Sequence, residues 1–143
     1  MGLRRLRLYP KIHLEDVYLL ISGLTNLWAS EHAAAQIKAE LSADEQKALT
    51  EKLIGFCKVG YWQLNDRILR HEGKAGGGET WRIAYKNSTQ FRIVGFPESD
   101  QKRDFIALDA FYKGDGDEYS RAQWNRMKEI SEIKRNSLWR KKP

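Results

Sequence analysis

The residues of this chain best suited to chemistry are basic. Arg82, Lys86, Arg92 and Lys113 sit in or at the ends of apolar segments, and Tyr119 follows shortly after Lys113. A guanidinium group presents its donors in a fixed fork that matches a phosphate. Such cations with a tyrosine, and with no histidine set or metal-ligand set, suffice for one reaction class. In RNA cleavage by internal transfer, the ribose 2′-hydroxyl attacks its own phosphate. The step needs a base for the hydroxyl, cations for the charge on the phosphorane and an acid for the leaving oxygen. A tyrosine or lysine serves as base only where neighbouring cations lower a pKa that is about 10 unperturbed. Acid or base help of this kind is worth roughly a hundred- to ten-thousand-fold in rate. The plainer alternative is a solvated basic sheet face, and the residues by themselves favour it.

Other motifs carry less. Gly73 to Gly78 (GKAGGG) lacks the spacing of a P-loop and precedes a strand pattern, where a P-loop opens a helix. Arg70 to Ala75 faintly echoes the pyrophosphate loop of acetyltransferases, and the same objection holds. A flexible connector is the expectation. Asp115, Asp117 and Glu118 lack the EF-hand pattern, and their alternation with glycine is turn composition. Cys57, beside Phe56, reads as a buried small hydrophobe. His13, His32 and His71 show no ligand spacing, and no nucleophilic triad can be composed around His71. No metal or cofactor is expected.

Hydrophobic periodicity predicts the elements that must hold the basic set. From Leu14 the spacing of Val17, Leu20, Ile21, Leu24 and Leu27 predicts a helical stripe, weakened by Gly23, and 33–41 continues with helix formers. Ser42 and Glu45 form a capping box for a second helix carrying Ala48, Leu49, Leu53 and Phe56. After an ambiguous stretch at 61–72 the period changes to two. Residues 79–86, 90–96 and 104–112 then read as three strands of an antiparallel meander. Ser120 caps a last helix with Trp124, Met127, Ile130 and either Ile133 or Lys134 on one face.

Strand register adds an inference. Trp81, Ile83 and Tyr85 are buried together with Phe91 and Ile93 only if 83 pairs with 93 and 85 with 91, across a loop at 87–89. That register gathers Arg82, Lys86 and Arg92 on the opposite face. Burying Ile106, Leu108, Ala110 and Tyr112 sends Asp109, Phe111 and Lys113 there too. A sheet covered on one side would leave these cations exposed.

The whole chain of 143 residues reads as one domain, with 1–40 an extended N-terminal part and 136–143 a frayed basic tail. Hydrophobic residues at 41% permit a packed core. No apolar run approaches a bilayer span, and no secretory signal is visible. One cysteine excludes a disulfide framework and a multi-thiolate zinc site. These features lead one to expect a cytoplasmic protein. The net charge of +6 is uneven: residues 1–13 carry +4 and 121–143 carry +6, which leaves −4 for the body. Two basic ends favour a phosphate-bearing partner if the fold unites them, and are solvated tails if it does not.

The segments ETWRIAY, QFRIVGF and FIALDAFYKGDGDEYSRA, with two helices before them and a basic helix after, resemble the RelE/ParE toxin superfamily, in particular its HigB-like branch. The likeness spans about 42–135. Its pattern of an acid and an arginine on the first strand would fall on Glu79 and Arg82. Its aromatic–arginine pair would be Phe91 and Arg92, and its sheet end Lys113 with Tyr119. The resemblance implies an α+β fold: a small antiparallel sheet, a three-stranded meander to which 6–9 could add an edge strand, with two N-terminal helices and a C-terminal helix. It also implies a type II toxin that cleaves mRNA on the ribosome without a metal and is silenced by a cognate antitoxin. Arg92 and Lys113 would then neutralise the phosphate, and Tyr119 or Lys86 would move the proton. Arg82, Arg121 and Arg126 would hold the substrate. The chain departs from the pattern in its long lead-in, its acidic exit loop at 114–118 and the missing second lysine between Lys86 and Arg92. The alternative is a non-catalytic protein- or nucleic-acid-binding module on the same fold.

Overall fold

In the computed structural model, which describes residues 14–59, 68–84, 90–98, 103–113 and 119–143, two strands open the chain. They are β1 (Glu15–Ile21) and β2 (Asn26–Ser30), followed by α1 (Glu31–Glu40) and α2 (Ala43–Lys58). Short β3 (Leu69–His71) and a 3-10 turn (Lys74–Gly76) lead to β4 (Trp81–Ala84), β5 (Phe91–Pro97) and β6 (Asp104–Tyr112). Helix α3 (Arg121–Arg135) and β7 (Trp139–Lys142) complete it. The strands form one seven-stranded sheet in the order β3-β4-β5-β6-β2-β1-β7. The β2–β6 and β1–β7 pairs are parallel and the rest antiparallel.

This corrects the expected architecture. The three strands at 81–112 do follow one another antiparallel, but as part of a larger mixed sheet. The helical stripe expected from Leu14 is a hairpin. Its apolar run is short, and such runs fit either period. Gly23 marks the turn, where the chain passes so close to α2 that an added Cβ would meet the Cys57 carbonyl oxygen at 2.2 Å. The tail expected to fray is β7, held beside β1 by the Arg140–Asp16 ion pair at 2.7 Å and by Lys141, which bridges Glu98 and Asp104. Residues 1–13, the 87–89 loop and the acidic 114–118 segment lie outside the described residues.

The sheet is covered on both sides. Ala33 of α1 and Leu49, Leu53, Phe56 and Cys57 of α2 pack on Ile83, Phe91, Ile93 and Phe105. Met127 and Ile130 of α3 pack on Val17, Val94, Phe96, Ile106 and Leu108 on the other. Both of those helices begin at capping boxes, Ser42 with Glu45 and Ser120 with Gln123. Ser30 caps α1 and also donates to the Leu108 carbonyl, tying the helix to β6.

Ile83 pairs with Ile93. Farther along, the register slips between Val94, opposite Asp109, and Gly95, opposite Ala107. The extra residue shifts β6 from one face to the other. Ile106 and Leu108 therefore lie under α3, whereas the unbroken alternation places them with Ala110 on the opposite face. Gly95 makes the slip possible: an added Cβ would stand 1.8 Å from the Ile106 carbonyl oxygen. Gly95→Ala is expected to destabilise by about 3 kcal/mol, because backbone must move to admit the methyl group. Urea unfolding measures this, and an unchanged midpoint would show that the bulge does not depend on the glycine.

Candidate functional site

The candidate site forms on the face beneath α3, at the end of the sheet where β3 and β4 meet. Arg70 of β3 stands directly opposite Arg82 of β4. Like charges in that position repel, and an anion is needed between them. Glu72, just past β3, supplies it. Its carboxylate is 3.7 Å from Arg70 Nη2 and 3.8 Å from Arg82 Nε, and its side chain is 4% exposed. The Tyr119 hydroxyl donates to the same carboxylate at 2.5 Å. Tyr119 itself is buried, with its ring edge-on to Trp124 and Phe111.

Arg92 shares this face, since Arg82 pairs with Val94 two residues farther along β5. Its Nη1 donates to the Phe91 carbonyl and its Nη2 to Gln90. Its Nε is buried with no hydrogen-bond acceptor among the described residues. The Lys113 amide donates to the Gln90 carbonyl, and its ammonium lies 4.9 Å from the Tyr119 ring centroid. The structure thus brings Arg82, Arg92, Lys113 and Tyr119 together. Lys86 lies outside the described residues.

The other expected substrate contacts divide. Arg126 is committed within the fold, bound to Asp109, Glu129 and the Leu108 carbonyl, and it clamps α3 to the β6 bulge. His32 Nε2 reaches the second oxygen of Asp109 at 3.0 Å. Arg121 stands exposed at the start of α3. Glu79, the acid placed beside Arg82 by the resemblance, pairs instead with Lys134 at 2.7 Å, and that bond holds its carboxyl below the usual range. The glycine-rich loop is no loose connector. It docks on α3, with Ser131 Oγ donating to the Gly76 carbonyl and Arg135 to that of Gly77. Gly77 has φ +91° and approaches Ser131 so closely that a Cβ would meet its Cβ at 2.7 Å.

Electrostatics assigns roles. Burial first, and then the bond to Glu72, push the Tyr119 phenol well above its ordinary range, and the charges of Arg92 and Arg82 oppose this only in part. Tyr119 is therefore protonated at neutral pH, and the expected base of lowered pKa is not formed. Burial, then Arg70 and Arg92, lower the Arg82 pKa, while Glu72 works against them. Glu72 is the residue that sequence reasoning missed. Its one signal was an unbalanced basic pair, visible only once 70 and 82 are known to be neighbours. Cys57 behaves as expected of a buried thiol: desolvation pushes its pKa up to about 11.

Among the described residues, no group of three His, Cys, Asp or Glu side chains is placed to hold a metal ion. No helix among them is long and apolar enough to cross a membrane. A scan against known protein families matches none, and a search of curated proteins finds no significant relative.

Because the folded state raises the Tyr119 pKa above that of the unfolded chain, its contribution to stability is complete below about pH 10. It is lost as pH rises through the folded value. Ultraviolet titration of the phenols is expected to show one of the six tyrosines ionising above the rest, and Tyr119→Phe is expected to remove that step. A variant that instead loses one phenol's share of the ordinary step near about pH 10 would show that the Glu72 bond does not hold the proton.

Proposed function

We propose that this chain is a metal-independent endoribonuclease that cleaves mRNA on the ribosome, as the RelE/ParE likeness implies. In this reading it acts in the cytoplasm as the toxin partner of an antitoxin protein. The observation that carries the reading is the meeting of Arg82 and Tyr119 on one buried carboxylate, with Lys113 over the Tyr119 ring and Arg92 near enough for its charge to act on both. Arg92 and Lys113 neutralise the charge that builds on the phosphorane, and Arg82 fixes the carboxylate. Tyr119 accepts the 2′-hydroxyl proton only as it passes its own to Glu72, so the two act as a relay. The relay replaces the depressed tyrosine pKa that the reaction would otherwise need. The ribose oxygen then bonds to phosphorus as the 5′-oxygen leaves and takes a proton from a cationic acid.

A second reading is favoured by burial. Tyr119 and Arg82 are only 6% and 5% exposed and are engaged inside the fold, as in a network that merely fastens β3 and α3 to the sheet. The chain would then be a non-catalytic binding module. The two readings separate on paired variants. Under the first, Arg92→Ala is expected to slow cleavage about a hundred- to a thousand-fold, as loss of a preorganised donor does. Its stability cost is expected to be about 1 kcal/mol, the scale of its hydrogen bonds. Glu72→Gln and Tyr119→Phe should abolish cleavage and growth arrest in bacteria. Harmless wild-type protein, or variants that cleave like it, would leave the binding module as the reading.

A further inference from the structure

Helix α3 carries five cations, and three of them are spent within the fold. Arg126 binds Asp109 and Glu129, Lys134 binds Glu79, and Arg135 binds Glu132. Arg121 and Lys128 have no ion-pair or hydrogen-bond partner among the described residues, and both are exposed. They fall at the ends of a run, Arg121, Trp124, Asn125 and Lys128, with the spacing of one helical face. That face forms one wall of an open cleft of about 630 Å³, and Ala75 of the docked glycine-rich turn belongs to the other wall. Lys74, also exposed and without a described partner, sits on the same turn. Asn125 and Lys128 continue into an adjoining cleft of about 550 Å³. Its carboxylates, Glu129 and Glu132, are already held by Arg126 and Arg135.

The geometry points to this cleft as a binding subsite for single-stranded RNA. Two successive phosphates would be taken by Arg121 and Lys128, and an unstacked base would lie on Trp124. Its chemistry is that of single-strand recognition, in which cations follow the backbone and aromatic rings receive bases without sequence preference. The position fits a strand that also enters the candidate site. Trp124 meets the Tyr119 ring edge-on at 4.9 Å between centroids, so the cleft begins where the Glu72 cluster ends. The docked turn gives the cleft a fixed wall, because Ser131 and Arg135 hold its carbonyls. The choice of RNA as the strand rests on the endonuclease reading, but the cleft binds whether or not cleavage follows.

The test therefore uses a strand that cannot be cut. A fluorescent 2′-O-methyl oligoribonucleotide is titrated with the full chain by anisotropy over a range of salt. Arg121→Ala with Lys128→Ala is expected to weaken binding at least about tenfold at low salt. It should also flatten the slope of log affinity against log salt by about 1.4, since each lost single-strand phosphate contact contributes about 0.7. Trp124→Phe should reduce the tryptophan quenching that accompanies binding. Thermal melts run alongside, and Lys128→Gln alone, expected to halve the change in slope, serves if the double variant unfolds. Wild type that fails to bind the strand, or a double variant that binds with unchanged affinity and slope, overturns the subsite. So does a polyglutamate chain that binds as tightly and loses as much in the variant, because the cleft would then serve an acidic protein. Loss of cleavage in Arg92→Ala with binding intact belongs to the chemistry and leaves the subsite standing.

Discussion

A carboxylate withdrawn from water must be paired or neutralised, and Glu72 is withdrawn almost entirely. That constraint organises one end of the molecule. It gives Arg82 a counter-charge deep beneath α3 and lets Arg70 sit across from Arg82 without open repulsion. It also receives the Tyr119 hydroxyl, which fixes the chain just before α3. From there Ser120 caps the helix, and Gln123 both completes the cap and donates to the Tyr112 carbonyl at the end of β6. The buried charge, the helix start and the last long strand are thus one connected unit.

The β6 bulge does comparable work farther along the sheet. By shifting faces at Gly95, it lets β6 feed apolar residues to both cores and turns Asp109 toward α3. Arg126 answers that carboxylate from the helix, and His32 answers it from α1. Helices on opposite faces of the sheet are therefore joined through a single aspartate. The clamp explains why Arg126, basic and placed on the last helix, is unavailable to a substrate while Arg121, one and a half turns earlier, is exposed.

Legibility from sequence followed the range of the interaction. The capping boxes at Ser42 and Ser120 and the pairing of Ile83 with Ile93 are local or nearly so, and the residues that make them state them openly. Strand β1 was hidden because Val17 to Ile21 is a short apolar run compatible with two periods. Strand β7 was hidden because its stability comes from Asp16, Glu98 and Asp104, all distant in sequence. The bulge depends on a clash that Gly95 avoids, which no alternation pattern shows. At the site, the basic set could be collected from register, but its degree of burial could not. The meander pattern says nothing about a second covering helix, so the cations were expected in solvent and Glu72 was overlooked.

Burial changes what the basic set can be for. An exposed cation on a sheet gains little from any partner, because water already screens it. Arg82 is in a different position: desolvation and the nearby charges of Arg70 and Arg92 outweigh Glu72, and its pKa falls on balance. The folded protein holds that guanidinium against an electrostatic cost. A bound phosphate beside Arg92 and Lys113 would offset the repulsion, whereas a neutral ligand would not. An anion bound there would add folded stability by simple linkage, since it would bind the native arrangement and not the unfolded chain. Under the endonuclease reading, the buried network that fastens β3 and α3 in place would also make the site selective for negative charge, so that one set of residues would serve both ends.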